Sequence, residues 1–410
     1  MFALILLVGL LALIFSVSQL VRIQSAARGS SPLWLRTKLW LAFSLLALLL
    51  LLAGCYFEYW GHYYQSLHSW LDSRLYHKSD AFQVQGDPGL AELVRLQQPG
   101  LARPSFEAVK EVLDWQDKLR ETLLQKLFEL DLTRNRTVHS ETLASLSISE
   151  HLTRYLINFT SFDGTKIPAY VFQPESSQPL PAILVLPGHG PGLAGPNLDG
   201  ESPANRVALA LAKKGFVVMA LELRGFGYLG PVTGCEHRVV AHNALLAGSF
   251  YKAVICQDIK LALDYLAALP QVAPRRMGIS GGSLGGEIAI TYSALDPRVK
   301  VVVCQGYGGE EIGVKLGLVG STLSPAPHFC HLIPGQNKFM RPEDLFLLIA
   351  PRPLLVVRGT QEEINYSRLK SITSEVYDCL AFPANVEFRT MAGDHDYFLE
   401  PAQEFFKKHL

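Results

Sequence analysis

The sequence has no charge surplus of either sign, with 37 Lys and Arg balancing 37 Asp and Glu over 410 residues. That balance removes the electrostatic footprint a nucleic-acid partner needs, and no local basic stripe replaces it, so nucleic-acid binding is set aside. Paired cysteines are missing as well. Cys55, Cys235, Cys256, Cys304, Cys330 and Cys379 form no C-x-x-C pair, and no Cys/His cluster stands at zinc spacing, which argues against a metal site. Cys256 falls in a predicted helix and Cys304 in an apolar strand, where both read as small buried hydrophobes. A disulfide among Cys235, Cys330 and Cys379 stays open.

Hydrophobic length is what the chain does have. At 49% hydrophobic residues it can bury one large core or two smaller ones. Residues 2–21 and 39–57 are apolar runs of about the twenty residues that a bilayer span requires. The first could be a signal peptide, but no basic residue precedes it. Arg22, Arg28, Arg36 and Lys38 lie between the runs with no acidic residue, whereas Glu58, Asp72 and Arg74 mix the signs after the second. Positive charge prefers the cytoplasm. Residues 1–57 are therefore expected to form a transmembrane helical hairpin in the lipid bilayer, integral with two spans, its loop cytoplasmic and the large C-terminal part extracytoplasmic. Residues 58–104 read as a juxtamembrane connection, with Trp60, Tyr63 and Tyr64 suited to the membrane interface.

Residues 105–131 predict an amphipathic helix, since Val109, Val112, Leu119, Leu123 and Leu127 recur at helical intervals among charged residues. Strands are predicted at 155–160 and 167–172, joined by the Asp163-Gly164 turn. A strand at 182–186, a helix at 204–214, a strand at 216–221 and a helix at 253–269 follow. Further strands are predicted at 299–304, 353–357 and 386–390, with a closing helix at 402–409. Alternating strands and helices imply an α/β fold, a mostly parallel sheet covered by helices on both faces. Ligands in such sheets sit at the carboxyl ends of the strands.

Into this pattern falls Gly281-Gly282-Ser283-Leu284-Gly285, a G-x-S-x-G run at a strand-to-helix junction. There a serine can occupy a strained turn that presents its hydroxyl as a nucleophile. Gly278-Ile279-Ser280-Gly281-Gly282 fits the same pattern, but a nucleophile at Ser280 would leave glycines in the first helical turn, where they are costly. Ser283 is preferred. Such a serine needs a base, a carboxylate to orient the base, and two N–H donors for the oxyanion. With the acid and then the base expected downstream at strand ends, His395 follows the last predicted strand and is favoured over His328 and His331. After the strand 353–357 stand Glu362 and Glu363, of which Glu362 is preferred as the acid, with Asp394 or Asp396 next. The oxyanion donors are expected at the Leu284 N–H and, in the Pro187-Gly188-His189-Gly190 loop, at the His189 N–H.

From about residue 105 onward the chain resembles the α/β-hydrolase superfamily, most closely the bacterial dienelactone hydrolase and acetyl xylan esterase-like branch. The stretches that carry the resemblance are Leu186-Pro187-Gly188-His189-Gly190, Glu222-Leu223-Arg224-Gly225-Phe226-Gly227, Gly281-Gly282-Ser283-Leu284-Gly285-Gly286, Ala350-Pro351-Arg352-Pro353-Leu354-Leu355 and Gly393-Asp394-His395. The family commonly uses aspartate where this chain offers glutamate. The resemblance implies an α/β-hydrolase domain over residues 105–410 and a cofactor-free serine hydrolase acting through an acyl-enzyme. In it Ser283 attacks, His395 shuttles the proton and Glu362 orients His395. A small-molecule carboxylic ester is the expected substrate. Cleavage of amides as an aminopeptidase-type serine peptidase, or a catalytically silent binding module, are the alternatives. Segments 225–250 and 305–349, with Tyr228, Phe250, Tyr307, Phe329 and Phe339, are expected to rim an uncharged, partly apolar pocket.

Overall fold

A computed structural model describes residues 102–133, 137–193, 203–230, 236–308, 329–362 and 366–410. The chain divides into two compact units, Met1–Val84 and Gln85–Leu410, and every described residue lies in the second. The expected transmembrane hairpin, and the connection up to residue 101, lie outside the described residues. Among the described residues no single helix is long and apolar enough to cross a membrane.

Helix α1 (Val109–Lys126) opens the described fold and is followed by strands β1 (Ser140–Ser149), β2 (Leu152–Thr160), β3 (Lys166–Pro174) and β4 (Leu180–Leu186). Next come α2 (Pro203–Ala212), β5 (Val217–Leu221), α3 (His237–Leu246), α4 (Tyr251–Ala268), β6 (Val272–Gly282) and α5 (Leu284–Leu295). The chain closes with β7 (Val299–Gln305), the short α6 (Asp344–Leu347), β8 (Leu354–Gly359), α7 (Ser367–Cys379), β9 (Val386–Met391) and α8 (Leu399–His409). Among the described residues, nine strands form one sheet in the order β1-β2-β3-β5-β4-β6-β7-β8-β9. The β1–β2, β2–β3 and β3–β5 pairs are antiparallel and the remaining pairs are parallel.

Strand β4 shows why the sheet is two-sided. Ala182, Leu184 and Leu186 enter one apolar cluster with Leu119 and Leu123 of α1, Ile255 and Ile259 of α4 and Ile288 of α5. Ile183 and Val185 point into a second cluster, with Val207 and Leu211 of α2 and Phe405 and Phe406 of α8. A strand covered on both faces must be apolar at every position, and this one is.

Several expected boundaries move. Helix α1 begins at Val109 rather than 105, because Phe106 has a φ of 59° that no helix accepts. Helix α2 ends at Ala212, short of 214, before a turn at Gly215 with φ of 93°. Strand β1 was not expected. It is exposed along nearly its whole length, so its Ser- and Thr-rich sequence carries no buried face to betray it, and its pairing with β2 is interrupted by two register shifts. Helix α3 lies within the segment expected to rim a pocket, and α7 buries Leu369, Thr373, Val376 and Tyr377 on one face.

Candidate active site

Strand β6 ends at Gly282 and α5 begins at Leu284, so Ser283 alone makes the turn, with φ 56° and ψ −122°. A positive φ is strained for a residue with a side chain. The turn is held from both sides, since the Ser283 N–H donates to the Gln305 carbonyl at 2.8 Å and its own carbonyl accepts the Glu287 N–H at 3.0 Å. Close approach explains the flanking glycines. A Cβ on Gly281 would lie 2.2 Å from the Gly285 carbonyl carbon, and one on Gly285 would lie 2.3 Å from the Leu186 oxygen. Ser283 is partly exposed, whereas Ser280 is fully buried with its Oγ 2.5 Å from the Tyr397 hydroxyl.

Strands β8 and β9 are parallel neighbours, and the loops after them bring Glu362 and His395 together. Glu362 Oε1 is hydrogen-bonded to His395 Nδ1, and its Oε2 accepts the Gly359 N–H at 2.6 Å. The carboxylate is 4% exposed and the imidazole 48% exposed. The bond to Glu362 raises the His395 pKa above its ordinary value, against the opposing effect of partial burial. Asp394 and Asp396 are exposed, and Glu363 and His328 lie outside the described residues. His331 is bound elsewhere, its Nδ1 to the carboxylate of Glu287.

The loop after β4 runs against the serine turn, since a Cβ on Gly188 would come within 3.1 Å of Ser283 Cβ and 2.9 Å of the Gly282 oxygen. His189 follows directly. Leu284 opens α5, where the first N–H groups of a helix have no intrahelical acceptor and the helix end is electropositive. Glu222 ties this region together from below. Its buried carboxylate accepts N–H bonds from Leu193 at 3.1 Å, Tyr228 at 3.0 Å and Leu223 at 3.3 Å, and burial pushes its pKa up to about 7.

Two contacts near this site had no sequence signal. Gln305, fully buried at the end of β7, reaches the loop beyond His395 with its side chain. Separately, His189, Cys330 and His331 converge so that one ligand atom of each lies within 4.8 Å of the others. Spacing along the chain argues against a metal site, yet the fold assembles two histidines and a cysteine, residue types able to hold one. Cys330 and Cys379 form no disulfide. Of the expected rim residues, Phe250 is instead a core residue packed edge-on against Phe128, and Tyr307 is buried in a stack on Phe346.

A family model described as acetyl xylan esterase (AXE1) matches residues 124–307. YtaP of Bacillus subtilis, a hydrolase by assignment, is 28% identical over 252 residues, covering 58% of this chain and 80% of that one. Among solved structures, a protein of Bacteroides fragilis assigned as an acetyl xylan esterase superposes with a TM-score of 0.62 at 20% identity, covering 74% of this chain and 81% of its own. The glucuronoyl esterase of Solibacter usitatus gives a TM-score of 0.55 at 18% identity over 76% of this chain and 98% of that one. The likeness to these structures is one of fold, an α/β sheet flanked by helices, and the acetyl xylan esterase model matches residues 124–307, less than half of the chain.

Proposed function

We propose that the protein is a serine hydrolase that cleaves a carboxylic ester through an acyl-enzyme. Ser283 Oγ attacks the carbonyl carbon while His395 takes its proton, and Glu362 holds the imidazole through Nδ1 and stabilises the imidazolium. The oxyanion accepts the Leu284 and His189 N–H groups. Collapse breaks the bond to the alcohol, which leaves with the proton from His395. Water then enters by the same route in reverse and releases the acid.

The observation that carries this reading is the φ of 56° at Ser283. Strain at a non-glycine residue between strand and helix is what exposes a nucleophile in this architecture. The match to the acetyl xylan esterase model favours a short acyl group, acetyl first, on a carbohydrate alcohol. The neutral composition of the expected rim agrees with an uncharged acyl group.

Full-length protein treated with a fluorophosphonate probe should be labelled, and it should hydrolyse 4-nitrophenyl acetate and acetylated xylo-oligosaccharides but not peptide amides. Ser283→Ala should abolish both signals and Ser280→Ala should keep the labelling. Turnover of amides without esters would move the assignment to a peptidase. Absence of labelling in the wild type would leave a binding module.

We further propose that the apolar runs at 2–21 and 39–57 anchor the enzyme in a membrane with the catalytic unit extracytoplasmic. The basic loop between them supports that orientation.

A further inference from the structure

The loop carrying His189 and the short 3-10 turn Phe329–His331 meet side chain to side chain. His189 Nε2 lies 3.3 Å from Cys330 Sγ, and the His189 and His331 rings have centroids 5.1 Å apart. The ligand atoms of His189, Cys330 and His331 all fall within 4.8 Å of one another. Around a tetrahedral zinc ion, bond lengths of about 2.0–2.3 Å put ligand atoms about 3.5 Å apart. The His189–Cys330 pair, at 3.3 Å, already stands near that separation, and all three ligand atoms lie within 4.8 Å of one another.

What lies behind the three residues is a second, independent observation. Glu287 binds His331 Nδ1, and its other oxygen meets Lys252 Nζ, which also donates to the His331 carbonyl at 2.9 Å. The side chains of Lys252 and Glu287 are each 1% exposed. Metal-ligating histidines commonly give their second ring nitrogen to a carboxylate that fixes tautomer and orientation. Since Nδ1 meets Glu287, a cation would have to take His331 through Nε2. Burying the Lys252–Glu287 pair costs desolvation, and its carboxylate holds the His331 ring in place.

We propose that His189 Nε2, Cys330 Sγ and His331 Nε2 bind one borderline-soft divalent cation, Zn2+ first, with a fourth position open to water and Glu287 as the orienting carboxylate. Two imidazoles and a thiolate select this class over Mg2+ and Ca2+, which demand oxygen ligands. Binding forms one metal–sulfur and two metal–nitrogen bonds and releases the Cys330 thiol proton to solvent. The cation would clasp the loop after β4 to the turn at 329–331. It takes no part in the acyl transfer described above and stands or falls apart from it.

The test uses untagged full-length protein, stripped with a chelator and dialysed against ZnCl2 or CoCl2. Elemental analysis should find one equivalent retained, and the cobalt form should show a thiolate-to-cobalt charge-transfer band. Cys330→Ser should erase that band and weaken Zn2+ binding at least tenfold, and His331→Ala should weaken Zn2+ binding at least tenfold while any cobalt it retains keeps the band. Glu287→Gln should weaken it by about 10–100-fold. Should that buried variant fail to fold, the near-isosteric Cys330→Ser still decides. No retained metal, a cobalt spectrum without the thiolate band, or equal Zn2+ binding by Cys330→Ser would each overturn the site.

Discussion

The side-chain amide of Gln305 is bonded twice to the backbone of Phe398, donating to its carbonyl at 2.9 Å and accepting its N–H at 2.7 Å. Its own carbonyl accepts the Ser283 N–H. One buried residue thus fixes both the serine turn and the loop that carries His395. Gln305→Leu should strand both Phe398 groups, lowering stability by about 1–3 kcal/mol for each unpaired group. Its kcat should fall at least tenfold with KM little changed, because misplacement of reacting groups acts on the transition state. Steady-state kinetics on 4-nitrophenyl acetate checks this, and an unchanged kcat would remove Gln305 from the positioning of His395.

Glu362→Gln should lower kcat by on the order of 10⁴, the scale seen when a triad carboxylate becomes an amide. The pH profile adds a sign. Transfer of the serine proton needs neutral His395, whose pKa Glu362 raises above 6.5. Activity in the wild type should therefore rise with pH through a midpoint above 6.5, and in Glu362→Gln the residual activity should rise at lower pH. A midpoint that does not move would mean that another group sets it.

Glu222 makes stability depend on pH in the opposite sense from a salt-bridged carboxylate. Its folded pKa of about 7 lies above the ordinary 4.5, so the folded state holds the proton more tightly than the unfolded chain. Its contribution is fully present below about pH 4.5 and is lost as pH rises to about 7, amounting to about 3 kcal/mol. Subtracting the denaturation free energies of Glu222→Gln from those of the wild type at pH 5 and pH 8 should expose that loss. A flat difference would show that the three N–H donors outweigh burial.

Much of this architecture was readable because burial writes itself into composition. Strands β4, β5 and β7 are apolar at nearly every position, and Gly281 and Gly285 beside Ser283 are demanded by backbone contacts of 2.2 and 2.3 Å to an added Cβ. Glu362 could be singled out only by its offset from a turn. Strand β1 left no mark, being solvated along its length. Gln305 belongs to no motif, and its partner lies 93 positions away. The meeting of His189 with Cys330 spans 141 positions, which no local spacing encodes.

The proposed topology can be read in intact cells or spheroplasts. External protease should digest the chain beyond about residue 60, and a thiol reagent that cannot cross the membrane should label a cysteine introduced at Ser66 but not one at Ser30. Labelling at Ser30 with protection of the catalytic unit would invert the orientation.

Strand β1 also decides how the protein can be shortened. Its serine-rich, twice-shifted ladder is a poor template for another chain, and it closes the antiparallel end of the sheet. A protein beginning at Leu152 would transfer that role to β2, where Leu152, Ile157 and Phe159 are buried and the backbone ladder is continuous with β3. Such a fragment would carry the whole proposed catalytic apparatus and a sticky flank. In concentrated solution the bared β2 edge, together with the apolar face uncovered by loss of α1 with its Leu119 and Leu123, should drive such a fragment to self-associate, an outcome the ten residues of β1 and the helix before them prevent together.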